Sequence, residues 1–223
     1  MSNVLVVIAH PDDEALGCGG TIAKFVREGH DVRVFAFTDG GTSRVGGLSR
    51  VSQLIESSKI LGFSILNLAT TRPGLMREFN DNAMDTVPLL ALVQELESVL
   101  ASTNFKPDTV ITHSPWCLNI DHKLAFSAAE VVFRGQPIRF MCFEIPSSSE
   151  WSLVNNFKAN CFVSLTNDDA SFKMIALTEA YGNELRAHPH PRSLTSISTV
   201  TSQCGIHLGL KLTEQFMILK EAM

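Results

Sequence analysis

Short apolar runs rich in β-branched residues alternate with stretches of helical periodicity along this chain. The first apolar run covers residues 4–9, a glycine-rich turn at 17–20 leads into a helical stretch at 21–26, and a second apolar run covers 31–37. One strand, one helix and a second strand within about 35 residues are typical of a β-α-β unit. Because buried parallel strands read as continuous apolar runs, the pattern predicts parallel strands with helices packed on them.

The same alternation continues to the end of the chain. Further strands are predicted at 65–68, 108–112, 139–144 and 162–165. Further helices are predicted at 49–61, 89–100, 121–133, 170–181 and 193–208, and a mobile Gly-, Thr- and Ser-rich loop at 38–48. The expected fold class is therefore α/β, with a mostly parallel sheet and helices on both faces. The 223 residues contain no internal repeat and no convincing linker, so we predict one domain over 1–223.

Composition excludes several classes of function. The net charge of −5 and the absence of a long basic run argue against nucleic acid as a partner. The longest unbroken apolar stretch, 4–9, is too short to span a bilayer, so no transmembrane segment is expected. The N-terminus lacks the pattern of a secretion signal, which predicts a cytoplasmic protein. The five cysteines include no Cys-x-x-Cys pair and are interpreted as reduced thiols.

A dense polar cluster follows the first predicted strand. Positions 10–14 read His-Pro-Asp-Asp-Glu. One imidazole and three carboxylates are costly to hold together without a positive partner, and both groups are ligands for zinc-like ions. The neighbouring carboxylates Asp12 and Asp13 would point in different directions, so one can bind metal while the other moves protons. A metal-assisted hydrolase needs this division of roles.

A second polar cluster follows the strand predicted at 108–112. It contains His113 and, a few residues later, His122. In open α/β sheets ligands bind outside the carboxyl ends of the strands, so both clusters are expected on the same rim. A set of His10, Asp13 and His122 would leave coordination positions open, as in catalytic metal sites.

Simpler interpretations exist for these acidic residues. Asp12, Asp13 and Asp121 each stand just before a predicted helix, where aspartate is a common N-cap. Cys117 lies near the second cluster and is interpreted as a packed core residue. The two clusters together, at corresponding places in the topology, favour a functional site over separate caps.

Several motifs, taken in order, resemble the PIG-L/LmbE family of zinc-dependent N-deacetylases. The resemblance extends over nearly the whole chain and is nearest to a bacterial branch found among surface-polysaccharide biosynthesis enzymes. The motifs are His-Pro-Asp-Asp-Glu at 10–14, Gly-Cys-Gly-Gly-Thr at 17–21, Thr-Asp-Gly at 38–40, Asn-Ile-Asp-His at 119–122, Phe-Glu-Ile-Pro-Ser-Ser at 143–148, His-Pro-Arg-Ser at 190–193 and Glu-Gln-Phe at 214–216.

The resemblance implies a Rossmann-like, LmbE-like fold and removal of an N-acetyl group from an amino sugar or sugar conjugate. By position, His10, Asp13 and His122 match the metal ligands and Asp12 matches the general base. Zinc is the expected metal, with Fe²⁺ or another divalent ion left open. The expected partner is a small N-acetylated sugar; whether it is free, nucleotide-linked or lipid-linked is left open, as is the oligomeric state.

Several residues are candidates for substrate contact, Arg50 and Asp81 by the resemblance and the others by their position or residue type. Arg50 matches an arginine that lines the pocket, and Asp81 stands where relatives have an acidic residue able to contact sugar hydroxyls. Trp116 lies beside the second cluster, where its ring could stack on a sugar. His188 and His190, separated by Pro189, form a polar loop that could close over the site.

One position departs from the family pattern. Many relatives carry a histidine three residues before the last metal ligand, whereas this chain has Asn119, which cannot titrate and is assigned to substrate binding. The predicted mechanism is attack of a metal-bound water on the acetamide carbonyl, with Asp12 as general base. Asp12 is the first choice of proton donor to the leaving amine and His113 the second, while His188 or His190 could also substitute.

Two other readings use the same residues. Two histidines and a carboxylate also form the facial triad of non-haem Fe(II) oxygenases, although an oxygenase has no need of the additional base Asp12. A nucleotide or sugar-nucleotide binding module without hydrolytic activity is the second alternative, because Gly17, Gly19 and Gly20 follow a first strand. Against it, the third glycine of the usual spacing is missing, and ionised carboxylates would repel a pyrophosphate.

Overall fold

The computed structural model of the protein describes residues 1–41, 50–67 and 79–222. The strands of the described part are β1 (Asn3–Ile8), β2 (Asp31–Ala36), β3 (Ser64–Ile65), β4 (Thr109–His113), β5 (Arg139–Phe143), β6 (Cys161–Ser164) and β7 (Thr213–Lys220). They form one seven-stranded sheet in the order β3-β2-β1-β4-β5-β7-β6.

The centre of the sheet is parallel, and one edge is antiparallel. β1 pairs in parallel with β2 and with β4, and β4 pairs in parallel with β5. β7 lies between β5 and β6 and is antiparallel to both. The carboxyl ends of β1 and β4 are therefore neighbours on one rim, as expected from the two polar clusters.

Helices cover both faces of this sheet, which confirms the predicted fold class. The α-helices are α1 (Asp13–Arg27), α2 (Val51–Leu61), α3 (Leu89–Thr103), α4 (Ile120–Phe133), α5 (Asn167–Ile175) and α6 (Leu194–Gln203). Two buried apolar clusters form the core, one including Ile22, Leu54 and Tyr181, and the other including Leu96 and Phe133. In the described part, no helix has the length and apolar character needed to cross a membrane.

The predicted glycine-rich turn at 17–20 is wrong, because these residues lie inside α1. The helix begins at Asp13 and kinks at Cys18, whose φ of −148° is non-helical. A Cβ atom on Gly17 would lie 2.4 Å from the Phe143 ring, and one on Gly20 would lie 2.5 Å from Leu165. The glycines thus allow α1 to approach its neighbours closely, so the structural basis of the dinucleotide-binding reading is removed.

Other boundaries differ from the expected ones near the C-terminus. The helix predicted at 170–181 is α5 followed by a π-helical segment, Ala176–Ala180, and the helix predicted at 193–208 ends at Gln203. β7 was not predicted at all. The predicted mobile loop at 38–48 lies mostly outside the described residues.

Candidate active site

Two segments that are distant in sequence meet at the carboxyl ends of β1 and β4. His10 follows β1, and Asp12 and Asp13 stand at the start of α1. His113 ends β4, and His122 lies in the first turn of α4. All five side chains are buried. The site is therefore built by the junctions between parallel strands and the helices that follow them.

Three of these side chains present ligand atoms in a compact triangle. Nδ1 of His10 lies 3.4 Å from Oδ2 of Asp13, Nε2 of His122 lies 3.4 Å from Oδ1 of Asp13, and the two nitrogens are 3.3 Å apart. Ligands at about 2.1 Å from one tetrahedral ion are separated by about 3.4 Å. Oδ1 of Asp13 is buried and accepts no hydrogen bond within the described ranges. Both observations fit a divalent cation held by these residues.

The other ring nitrogen of His10 faces carboxylates. Its Nε2 lies 3.0 Å from Oδ2 of Asp121 and 3.2 Å from Oδ1 of Asp81. The remaining oxygen of Asp121 accepts the backbone N–H of Met84 at 3.2 Å. A carboxylate behind a ligating histidine fixes its tautomer and orientation, which leaves Nδ1 of His10 for a metal. Burial lowers the pKa of His10, but the carboxylates of Asp121 and Asp13 outweigh it and raise the pKa to about 10. A cation bound at Nδ1 would therefore displace a proton from this ring.

The N-cap interpretation of the aspartates does not hold for their side chains. Asp12 precedes α1, yet its side chain makes no capping hydrogen bond. Asp13 and Asp121 are helical residues, and α4 is capped by Asn119, whose Oδ1 accepts the N–H of Asp121 at 2.8 Å. Asn119 is therefore engaged with the backbone of α4 next to the site.

Asp12 is buried in an unusual backbone conformation between two arginines. Its φ of 115° lies in a region that non-glycine residues rarely adopt and that costs about 1–3 kcal/mol. Its Oδ2 accepts hydrogen bonds from Nη1 of Arg50 and from Nη1 of Arg192, both at 3.2 Å. Burial raises the pKa of Asp12, the Arg192 and Arg50 guanidinium groups oppose the rise, and the pKa is about 7. The carboxyl is thus suited to exchanging protons near neutrality.

The structure brings Arg50 and Asp81 to the same site. Arg50 precedes α2, and its Nε donates to the backbone oxygen of Gly40 at 3.1 Å. Its Nη2 lies 3.6 Å from Oδ1 of Asp81, and its Nη1 lies 3.7 Å from Oε2 of Glu184. The φ of +69° at Gly40 and the close approach of the guanidinium both require glycine there.

His113 lies beside the metal-ligand cluster with no exposed surface. Its Nε2 accepts the backbone N–H of Ala9 at 3.0 Å and lies 3.4 Å from Oδ2 of Asp13. Its ring stacks on His122 with centroids 4.1 Å apart and planes 18° apart. Nδ1 of His122 contacts the sulfur of the buried Cys117 at 3.1 Å. Both neighbours orient the ring of His122.

The remaining predicted substrate residues lie further out. Trp116 is half-buried, and its backbone N–H donates to Oγ of Ser114. His188 is exposed. Nδ1 of His190 accepts the N–H of Arg192 at 3.0 Å, and its ring packs edge-on against Trp151 with centroids 5.3 Å apart. The described structure does not bring these three side chains into contact with the metal-ligand cluster.

Several residues of this site could not be given a role from the sequence alone. Arg192 was part of a recognised motif, and Asp121 was considered only as a cap, although its place directly before a metal ligand was a usable signal. Glu14 stands in the first polar cluster but was not assigned either. A cavity of about 400 Å³ has walls that include Gly17, Pro146 and Pro191, and its lining contains neither Asp12 nor the metal-ligand residues.

Comparison with known proteins identifies the family. The PIG-L family, described as GlcNAc-PI de-N-acetylase, matches residues 5–133, more than half of the chain. The chain belongs to the PIG-L family. The matched region runs from β1 to the end of α4 and contains the metal-ligand cluster. The resemblance to the PIG-L family that was inferred from the motifs is confirmed.

Two curated relatives show how far the similarity extends. YaiS of Escherichia coli (strain K12), an uncharacterized deacetylase, is 26% identical over 177 residues, which cover 78% of this chain and 88% of that protein. The 1D-myo-inositol 2-acetamido-2-deoxy-alpha-D-glucopyranoside deacetylase of Mycobacterium sp. (strain KMS) is 32% identical over 132 residues. These residues cover 50% of this chain and 43% of the mycobacterial protein, so the chain matches less than half of that relative.

Solved structures share the fold at low sequence identity. The N,N'-diacetylchitobiose deacetylase of Pyrococcus horikoshii superposes with a TM-score of 0.73 and 21% identity, covering 98% of this chain and 84% of that one. GalB of Pseudomonas putida KT2440, a 4-carboxy-2-hydroxymuconate hydratase, superposes with a TM-score of 0.65 and 20% identity, covering 100% of this chain and 98% of that one. Because this PIG-L fold occurs with different reactions, the activity has to be argued from the site.

Proposed function

We propose that this PIG-L protein is a divalent-metal-dependent hydrolase that removes the N-acetyl group from an amino sugar or sugar conjugate. The observation that carries the proposal is the buried carboxylate of Asp12 beside three converging ligand atoms. A metal-assisted hydrolase requires both a cation site and a separate proton acceptor. The substrate class is supported by the names of the relatives, which describe deacetylation of acetamido sugars.

His10, Asp13 and His122 would hold the cation. Two imidazole nitrogens and one carboxylate oxygen suit Zn²⁺, and Fe²⁺ accepts the same donors. A divalent cation bound there would lower the pKa of a water molecule and polarise the acetamide carbonyl. Asp121 keeps His10 in the orientation that ligation needs.

Asp12 is proposed to move the protons of the reaction. It accepts a proton from the water that attacks the carbonyl carbon, and it returns this proton to the nitrogen as the C–N bond breaks. The products are acetate and the free amine of the sugar. Since Nε2 of His113 is already engaged by the Ala9 amide and the ring is buried, Asp12 is the first choice of donor. We propose that His113 acts mainly by holding His122 in place.

The substrate would be held by residues around this centre. Arg50 contacts Asp12, and Asp81 contacts Arg50, so both can bind sugar hydroxyls near the base. Trp116, His188 and His190 are proposed to contact the more distant parts of the substrate. Asn119 caps α4 beside the site, so its proposed contribution is to position this helix. A role in surface-glycan biosynthesis is proposed on the motif resemblance.

Acetate release is the measurement that tests this function. The substrates are N-acetylglucosamine, diacetylchitobiose and a uridine-diphosphate-linked N-acetyl sugar, each assayed with zinc, with Fe²⁺ and with chelator. We expect release that chelation abolishes. Asp12→Asn should lower kcat by about 10²–10⁴-fold while metal affinity is retained. The exposed Asp168→Asn is the matched control and should behave like the native protein.

Two outcomes contradict the proposal. Undiminished acetate release by Asp12→Asn shows that another group is the base. Turnover that consumes dioxygen, with no acetate formed, favours the oxygenase reading of the same ligands.

A further inference from the structure

Asp12 needs support from its surroundings to keep its backbone conformation. It has a φ of 115° and a ψ of −26°, although it carries a Cβ atom. Conformations of this kind persist in proteins when neighbouring groups hold them, and they cluster at functional sites. This backbone geometry determines the orientation of the Asp12 carboxylate, which lies between Arg50 and Arg192.

Glu14 holds the backbone of Asp12 directly. Its Oε2 accepts the N–H of Asp12 at 3.2 Å. Its Oε1 accepts two hydroxyl donors, Oγ of Ser57 at 2.7 Å and Oη of Tyr181 at 2.7 Å. Ser57 belongs to α2, and Tyr181 follows the segment Ala176–Ala180, so three separate parts of the chain meet at one carboxylate.

The location of Glu14 limits what it can do. Glu14, Ser57 and Tyr181 are all completely buried, and donors of the protein itself occupy both carboxylate oxygens of Glu14, so Glu14 is not placed to bind a substrate. Within the described ranges, the groups able to hold a metal ion do not include it. A buried carboxylate with three donors is a rigid acceptor, since leaving any donor unpaired there is costly.

We propose that Glu14 is a positioning residue for the reaction: it fixes the backbone of Asp12 so that the carboxylate of this base points at the reacting atoms. Ser57 and Tyr181 in turn fix Glu14. This inference rests on the proposed function, because it assigns to Glu14 an effect exerted through Asp12. The first polar cluster then contains a ligand pair, a base and the residue that orients the base.

A double-mutant cycle in acetate release tests this role. Glu14→Met removes both acceptor oxygens and keeps a side chain of similar size. We expect kcat to fall about 10–100-fold, with KM and zinc affinity within about threefold of native values, because metal ligands and substrate contacts are unchanged. Glu14→Gln keeps one acceptor oxygen and should recover part of the loss. In an Asp12→Asn background, Glu14→Met should change the residual rate by less than about twofold.

The outcomes separate this inference from the proposed function. If Asp12→Asn lowers kcat and Glu14→Met lowers it by the same factor in both backgrounds, Glu14 does not act through Asp12 and only this inference fails. If Asp12→Asn has native activity, the proposed function fails. A loss of zinc affinity that accounts for the whole effect of Glu14→Met also overturns the inference. Should Glu14→Met not fold, Tyr181→Phe, which removes one of the three donors, takes its place in the same cycle with the same criteria.

Discussion

Nη1 of Arg192 lies 3.2 Å from Oδ2 of Asp12, although 180 positions separate the two residues in the chain. Nε of the same arginine donates to the backbone oxygen of Pro146 at 3.3 Å and to Oγ of Ser147 at 3.1 Å. Arg192 therefore connects the base, the segment after β5 and the segment before α6. It also supplies positive charge directly at the carboxyl group that must ionise.

Replacing Arg192 with methionine should shift the pH dependence of the reaction. Loss of the guanidinium raises the pKa of Asp12 above its value of about 7, because the ionised form loses a favourable charge. Activity requires ionised Asp12, so the acid limb of kcat/KM should move upward by roughly one pH unit. A cation held by the metal-ligand residues would lower the pKa of Asp12 in the native protein and in Arg192→Met alike. The quantity to measure is therefore the difference between the two pH profiles.

Arg186→Met is the matched control for this prediction. Arg186 is exposed, and its Nη1 donates to backbone oxygens of Asn183 and Leu185. Its replacement should leave the acid limb in place. An unchanged pH profile in Arg192→Met would show that Arg192 does not control the ionisation of the base.

Metal binding should stabilise the folded protein through His10, Asp13 and His122. A ligand that binds the folded state raises its free energy of unfolding by about 2.7 kcal/mol at one hundred times Kd. Zinc should therefore raise the melting temperature of the native protein, and chelator should reverse the rise. His122→Ala should abolish this response, whereas His207→Ala, an exposed ring packed on Phe162, should keep it. A zinc-dependent rise of equal size in His122→Ala contradicts the ligand set.

The relation between sequence and site follows from the topology of parallel sheets. β1 and β4 were both recognisable as apolar runs, and the rule that ligands lie beyond the carboxyl ends of strands placed His10 and His122 together. No comparable rule predicts the roles of Arg192 and Glu14. Arg192 reaches Asp12 from 180 positions away, and Glu14, which is local to Asp12, is held by Ser57 of α2 and by Tyr181. No local pattern encodes the packing that brings these segments together.

The errors in the predicted fold also arise from contacts between residues that are far apart in the chain. Glycine has low helix propensity, so Gly17, Gly19 and Gly20 indicated a turn, but close packing of α1 against Phe143 and Leu165 outweighs propensity. β7 was missed because it does not alternate cleanly: it carries the buried Glu214 and a continuous run of apolar residues. Its antiparallel pairing with β5 and β6 is set by partners far away in the chain.

Substitution of Gly17 by alanine should test the packing explanation. In a helix this change is normally stabilising by about 0.5–1 kcal/mol. Here the new Cβ would lie 2.4 Å from the buried Phe143 ring, so we expect a net loss of about 1–3 kcal/mol in the free energy of unfolding. Urea denaturation provides the measurement. Gly135→Ala, in the turn after α4, is the control for adding a methyl group to open space, because no atom outside the adjacent residues lies within 4 Å of its Cβ. It should change the free energy of unfolding by less than about 0.5 kcal/mol. A stabilised Gly17→Ala would refute the packing argument.

The kink in α1 is bridged by a buried ion pair, Lys173 with Glu214, at 2.6 Å. Glu214 accepts the backbone N–H groups of Gly20 and Thr21, and Lys173 donates to the backbone oxygen of Leu16 at 3.0 Å. The pair thus satisfies backbone groups on both sides of the kink at Cys18. Because a buried charge without its partner is strongly destabilising, Lys173→Met should lower the free energy of unfolding by about 3–5 kcal/mol.

The double substitution Lys173→Met with Glu214→Gln should cost less than the sum of the two single changes, since it leaves no isolated charge. The matched control is Lys24→Met, because Lys24 and Glu28 form a half-exposed ion pair at 2.9 Å on the same helix. Loss of this surface ion pair should lower the free energy of unfolding by about 0–1 kcal/mol. Urea denaturation measures this quantity for all of these variants. Equal losses for Lys173→Met and Lys24→Met would mean that the buried pair contributes no more than a surface one.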